Sequence, residues 1–142
     1  MKTYQHTQPA RAIVRGLLLM GTIFTIACFI IPPLIPGTVV IFVTAYLFRS
    51  MTIEITDAEL TWYFGSGFPR KRVALDEVVS AEATRTSAWN GWGIHYTSRG
   101  WLYNVSGFEA VCVTLRNGKR FCLGSDEPEK LAKELSERSA DF

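Results

Sequence analysis

The sequence lacks charged side chains over a long central run: none occurs between Gly16 and Phe48, a stretch of 33 residues. A run this apolar is stable in lipid or in a deep protein core, and the rest of the chain is too small to supply such a core. The absence excludes a water-exposed segment. It predicts that this part of the chain is embedded in a membrane.

The apolar run is too long for a single span. As one straight helix it would extend roughly 50 Å, whereas the hydrocarbon core is about 30 Å thick. Three prolines lie in Pro32–Gly37 and interrupt helical hydrogen bonding, which predicts a turn at 32–37. We therefore expect a two-helix transmembrane hairpin over residues 12–50, with arms Ala12–Ile31 and Gly37–Phe48. The second arm is short, so a re-entrant or interfacial arm is the alternative.

Acidic residues are also absent from the first 48 residues, while basic residues flank the apolar run. Lys2, Arg11 and Arg15 precede it and Arg49 follows it, whereas the connecting turn carries no charge. The excess of basic residues on the cytoplasmic side of membrane proteins places both termini in the cytoplasm. The sequence thus predicts a multi-pass protein of the cytoplasmic membrane that begins with a polar, mobile tail at 1–11.

Cysteine and histidine are scarce. The three cysteines are Cys28, Cys112 and Cys122, an odd and sparse set that indicates reduced thiols and argues against a disulfide framework. The two histidines, His6 and His95, do not stand at metal-ligand spacing with them. We therefore expect no metal site and no cofactor.

Residues 51–142 are expected to form one soluble domain with little net charge. From Arg49 onward the chain has 12 basic and 13 acidic side chains, which argues against a nucleic-acid surface. Alternating apolar residues between 52 and 123 predict a meander of short β-strands, and a narrow apolar stripe predicts a helix at about 126–138.

The last predicted hairpin can be placed in register. A three-residue loop with Gly118 in the left-handed region puts the apolar residues of both strands on one face, whereas a two-residue Asn-Gly turn would divide them between opposite faces. The three-residue loop sets Cys112 directly across from Cys122 on the other face. We expect two packed thiols there, and a redox pair is the alternative.

Several motifs together resemble the bacterial pleckstrin-homology-like membrane proteins. The motifs are Gly91–Tyr96, Gly100–Gly107, Asn117–Lys119 and Gly124–Glu129. The resemblance implies an α+β fold in which a partly open antiparallel β-barrel, capped by one C-terminal α-helix, follows the transmembrane hairpin. Eukaryotic relatives of this fold bind phosphoinositides through basic residues between early strands, but no such set of residues carries over to this chain.

Two groups of side chains are candidates for contacts. Basic residues beside an exposed aromatic loop, with the arginine at the membrane exit, are candidates for lipid headgroups: Arg49, Arg70, Lys71 and Arg72. The alternative for Arg70–Arg72 is a solvated hairpin. In the segment 89–108, which holds three of the four tryptophans, the candidates for partner contact are Trp92, His95, Arg99 and Trp101.

Catalysis is not expected, because His95 and Tyr96 point to opposite faces of a short strand and do not converge. The predicted function is a non-catalytic binding module anchored in the lipid bilayer that faces the cytoplasm and engages an unidentified protein partner. The alternatives are a structural hairpin that forms homo-oligomers through small residues of the first arm, and a binder of anionic lipid surfaces.

Overall fold

The computed structural model describes residues 4–87, 89 and 91–141. In this part of the chain the fold is α+β, with two β-sheets and three α-helices. The strands are β1 Tyr4–Pro9, β2 Ser50–Ile55, β3 Glu59–Phe64, β4 Arg70–Ala74, β5 Val78–Arg85, β6 Gly93–Thr97, β7 Gly100–Asn104, β8 Glu109–Leu115 and β9 Arg120–Gly124. The helices are α1 Arg11–Cys28, α2 Ile35–Leu47 and α3 Pro128–Ser139.

The N-terminal segment is a strand, so the prediction of a mobile tail is wrong for Tyr4–Pro9. Strand β1 pairs antiparallel with β2, from Tyr4 opposite Ile55 to Pro9 opposite Ser50. Its partner lies some 40 residues later, and local sequence does not reveal such a pairing. Because the two helices connect β1 to β2, both ends of the helical segment are fixed to the same sheet.

The proline-rich stretch does break the helix. Helix α1 ends at Cys28, a 3₁₀ turn spans Pro32–Leu34, and α2 begins at Ile35 with Pro36 in its first turn. Helix α1 packs on α2, where the Gly21 backbone lies against the ring of Phe42.

One helix is long and apolar enough to cross a membrane. It is α1, in which Gly21 is the one buried residue. At 13 residues, α2 would be about 20 Å long, well short of a hydrocarbon core. The structure therefore shows one helix of spanning length, and the predicted second span is not confirmed.

Most predicted strands are present, but they do not form a simple meander. The first sheet has the order β1-β2-β3-β4, and the second has the order β5-β8-β9-β7-β6. In the second sheet β7 pairs parallel with β9, and the other described pairs are antiparallel. The described strands form two open sheets, so a closed barrel is not observed.

The core of the head lies between the two sheets and α3. Fully buried side chains come from both sheets, and α3 adds Leu131 and Leu135 where it packs on β5 and β8. These leucines belong to the stripe predicted from sequence, and the observed helix begins two residues after the expected start. The apolar stripe, repeated every three to four residues, is what holds α3 to the sheet.

The β8–β9 hairpin has the predicted register. Gly118 has φ +81°, and the Leu115 amide donates to the Lys119 carbonyl, which leaves a three-residue loop. Cys112 lies opposite Cys122. The two sulfur atoms form a disulfide, so the prediction of reduced thiols is wrong. The predicted register is correct and places the two sulfur atoms side by side. The prediction of reduced thiols was based on a cytoplasmic location of the head, where disulfides are rare.

Candidate functional site

A groove of about 600 Å³ opens between β4, the β6–β7 hairpin and the β8–β9 hairpin. Strand β4 contributes its three interior residues, and the two hairpins contribute residues of their turns and adjoining strands. It is lined by Trp62, Lys71, Arg72, Val73, Tyr96, Ser98, Arg99, Gly100, Trp101, Tyr103, Leu115, Gly118, Lys119, Arg120 and Phe121. We call this site the basic groove.

The charge of the basic groove is of one sign. Its cations come from three separate places in the chain: Lys71 and Arg72 on β4, Arg99 in the β6–β7 turn, and Lys119 and Arg120 at the start of β9. No aspartate or glutamate is among the described lining residues. None of the five cations forms an ion pair within the described part of the chain. The groove thus concentrates positive charge in a head that is neutral as a whole.

The floor of the basic groove is aromatic. Trp62 stacks on Phe121 with ring centroids 4.8 Å apart and an interplanar angle of 18°, and it meets Tyr103 edge-on at 5.3 Å. Only 3% of Trp62 is exposed, and its indole Nε1–H has no acceptor among the described residues. A buried donor without an acceptor costs free energy, commonly about 1 to 3 kcal/mol.

The mouth of the groove carries two exposed aromatic rings. Trp101 is 48% exposed and Tyr96 is 75% exposed, and their rings meet edge-on with centroids 5.4 Å apart. Deeper in the groove, burial raises the pKa of the Tyr103 phenol, which keeps it neutral. The groove therefore combines cations with apolar surface that a ligand side chain can cover.

A second candidate surface lies where the head joins the helices. We call it the rim, and it consists of Arg49, Phe68 and Arg70. Phe68 is 70% exposed, the Arg49 guanidinium lies 4.3 Å from the centre of the Tyr46 ring, and Arg70 lies 4.5 Å from that of Tyr63. The rim therefore presents one large apolar side chain and two arginines.

The loop that carries Phe68 is held against the end of α2. The Gly65 amide donates to the Ser50 carbonyl over 2.9 Å. Gly65 has φ +51°, and a β-carbon there would lie 2.5 Å from the Leu47 carbonyl oxygen, so only glycine fits. This close approach places the rim beside the apolar helices.

The structure divides the predicted contact residues among the basic groove, the rim and the aromatic segment that contains Trp92 and His95. Lys71 and Arg72, predicted for lipid, line the basic groove together with Arg99 and Trp101, predicted for a partner. Arg49 and Arg70 belong to the rim.

Trp92 and His95 do not line the basic groove. The Trp92 indole donates to the Gly107 carbonyl over 3.3 Å, and the His95 ring donates through Nε2 to the Trp92 carbonyl. His95 therefore hydrogen-bonds within the aromatic segment and serves its local structure.

Sequence reasoning missed two of the five groove cations. Lys119 and Arg120 follow Asn117 and Gly118 directly, in a turn from which the sequence predicts only the hairpin register. The run Arg116–Arg120 contains three basic residues, a signal comparable to Arg70–Arg72. What the sequence did not reveal is that the two basic runs face the same groove.

A smaller cavity of about 300 Å³ lies beside the disulfide on the other face of the second sheet. Arg99 lines both this cavity and the basic groove, and its Nη1 donates to Thr84 Oγ1. Cys122 is 3% exposed and packs with Leu102 and Ala110. The described residues contain no cluster of histidine, cysteine and carboxylate side chains able to hold a metal ion.

Comparison of the chain with protein-family models, with curated proteins and with solved structures finds no match.

Proposed function

We propose that this protein is a membrane-anchored, non-catalytic binding module. Its two apolar helices form a hairpin in the bilayer, and its head, a pleckstrin-homology-like domain, binds an anionic protein partner in the basic groove. The observation that carries the proposal is the groove itself, in which five cations without ion pairs among the described residues surround an aromatic floor.

The exposed surface of the helices supports the anchor. Leu19 and Ile23 on α1 are 65% and 58% exposed, Phe29 directly after α1 is 88% exposed, and Val40 on α2 is 62% exposed. Apolar area costs about 25 cal/mol per Å² in water, and soluble proteins rarely expose contiguous apolar patches of this kind. A bilayer removes that cost for both helices.

The rim supports a fixed position of the head against the bilayer. Phe68 would enter the interfacial region, while Arg49 and Arg70 would meet anionic headgroups, each worth on the order of 1 kcal/mol near the surface. Phe64, next to this rim, lies two positions after Trp62 of the groove floor along β3. That spacing corresponds to about 7 Å, so the groove would lie close above the headgroups.

The proposed orientation places both termini in the cytoplasm, on the basis of the basic residues that flank the helices. The Cys112–Cys122 disulfide argues for the opposite side, because disulfides persist in oxidising compartments and are rare in the cytosol. Labelling an engineered cysteine in the α3 tail with an impermeant maleimide in intact cells decides the side. We expect the engineered cysteine to be protected from the maleimide. Labelling would show that the head lies on the outer side of the membrane.

A structural hairpin that oligomerises is the second candidate. Of the small residues on the first arm, Gly21 is already covered by Phe42 of the same chain, while a β-carbon at Gly16 would meet nothing within 4 Å. The intramolecular contact uses one of the positions that an oligomer would need. This weakens the second candidate relative to the binding module.

The groove function is tested with the full-length chain in nanodiscs of zwitterionic lipid and a fluorescent hexaglutamate peptide as probe. We expect binding that weakens with salt, and at least a tenfold loss of affinity in Lys119→Glu. Arg116→Glu is the matched control, because Arg116 is an exposed cation of the same turn that does not line the groove. Absence of peptide binding, or equal losses in both variants, would contradict the proposal.

A further inference from the structure

The edge of the first sheet runs along the basic groove. Strand β4 is the last strand of that sheet, and β3 is its only partner among the described strands. An edge strand has a row of backbone amide and carbonyl groups without a partner strand. Such a row is where an extended peptide can join a sheet.

The lining residues of β4 show that its edge faces the groove. Side chains alternate between the two faces of a strand, so a groove that touched one face would be lined by Lys71 and Val73 alone. Arg72 lines it as well, although it points to the opposite face, where it lies across from Thr61. The groove therefore reaches around the edge of β4, where the backbone is accessible.

The charges determine which strand can pair there. Arg70, Lys71 and Arg72 give the edge three successive cations, which repel another basic strand and so disfavour pairing with β4 of a second copy. An acidic strand would meet these cations on one side. On the other side it would meet Arg99, Lys119 and Arg120, whose guanidinium and ammonium groups suit carboxylates.

We propose that the basic groove receives an extended acidic segment of a partner protein, which adds to the first sheet as a strand along the free edge of β4. The segment pairs with about five residues, the length of β4. Its carboxylates contact the groove cations on both sides, and an apolar side chain covers the exposed faces of Trp101 and Tyr96. A phosphate group would use the cations but would leave the strand edge and the aromatic rings without a role.

This inference rests on the proposed binding function, so its test separates the two. The probe is a fluorescent octapeptide of alternating glutamate and valine, offered to the full-length chain in zwitterionic nanodiscs. Two further probes are N-methylated at every second residue, one in each register. Methylation removes the backbone donors from one edge of the peptide and leaves the other edge intact.

We expect the unmodified octapeptide to bind, one methylated register to lose at least tenfold in affinity, and the other to keep it. Lys119→Glu should lose at least tenfold and Arg116→Glu should not. If both methylated peptides bind like the unmodified one, strand addition is overturned while the groove function stands. If the octapeptide does not bind but hexaglutamate does, strand addition is likewise overturned. If neither peptide binds, both proposals fail.

The last outcome to test is that the basic groove binds an anionic lipid headgroup and not an acidic peptide. Vesicles containing an anionic phospholipid are offered to the wild type and to Lys119→Glu in detergent. Binding of the vesicles that depends on Lys119, without binding of the octapeptide, would replace the acidic segment by a lipid headgroup and overturn the inference.

Discussion

The helical segment and the head use the same kinds of apolar residue in opposite ways. In the head, Leu60, Val111 and Leu123 are fully buried between the sheets. In the helices, Leu19 and Ile23 are mostly exposed. Because the side chains are chemically alike, the difference lies in what surrounds them. The head makes its own apolar environment by packing sheet on sheet and helix on sheet, whereas the helices leave much of their apolar surface exposed.

The largest expected effect is the loss of membrane insertion when Ile23 is replaced by arginine. Ile23 lies in the middle of α1, where a charged residue costs about 3 kcal/mol of insertion free energy. We predict that Ile23→Arg sharply lowers the membrane-inserted fraction, measured by flotation of membranes from expressing cells. The control is Val79→Arg, since Val79 is an apolar residue of the head that is 61% exposed. If both variants float with the membranes to the same extent, the exposed apolar side chains of α1 do not contribute to membrane insertion.

Removing the disulfide tests how the head is stabilised. Replacing Cys112 and Cys122 by serine removes a cross-link between residues 10 apart in sequence, which is expected to cost about 2.5 kcal/mol. Urea unfolding of the full-length chain in detergent, followed by tryptophan fluorescence, measures the loss. Cys28→Ser is the control, because Cys28 on α1 is free and lies outside the head. A head that unfolds at the same urea concentration with and without both cysteines would contradict the disulfide.

A pH-dependent effect is expected at β1, which joins the head to α1. Burial, followed by the nearby Glu127, Asp126 and Glu134, raises the pKa of the Tyr4 phenol from 10.0 to about 12. A raised pKa in the folded state means that the neutral phenol contributes its stability fully below pH 10. That contribution is lost as the pH rises from 10 to 12.

Tyr4→Phe provides the comparison for this titration. The Tyr4 hydroxyl is buried and has no hydrogen-bond partner in the described structure, so its removal should change stability little at neutral pH. We predict that the wild type loses stability between pH 10 and 12 relative to Tyr4→Phe, measured by thermal unfolding. Parallel curves for the two proteins across this range would show that Tyr4 does not titrate within the fold.

Local signals in the sequence predicted the local structure well. Alternation indicated short β-strands between 52 and 123, the proline-rich stretch located the break between α1 and α2, and Gly118 located the loop of the last hairpin. Each of these features depends on residues within a few positions of one another, so a short window of sequence contains the information.

Features that depend on distant pairings were missed. Strand β1 is polar and finds its partner only after both helices, and the parallel pairing of β7 with β9 places the hairpins around the basic groove. The candidate site was accordingly predicted in fragments. Lys71, Arg72, Arg99 and Trp101 were named for different purposes, and only the sheet order brings them together with Lys119 and Arg120.

The most direct test of the membrane anchor is extraction of membranes from cells expressing the full-length chain with alkaline sodium carbonate. Peripheral proteins are released by this treatment, whereas proteins embedded by helices remain in the pellet. We predict that the protein stays in the pellet and leaves it only with detergent. Release into the carbonate supernatant would contradict a bilayer location for α1 and α2, and with it the membrane-anchored module.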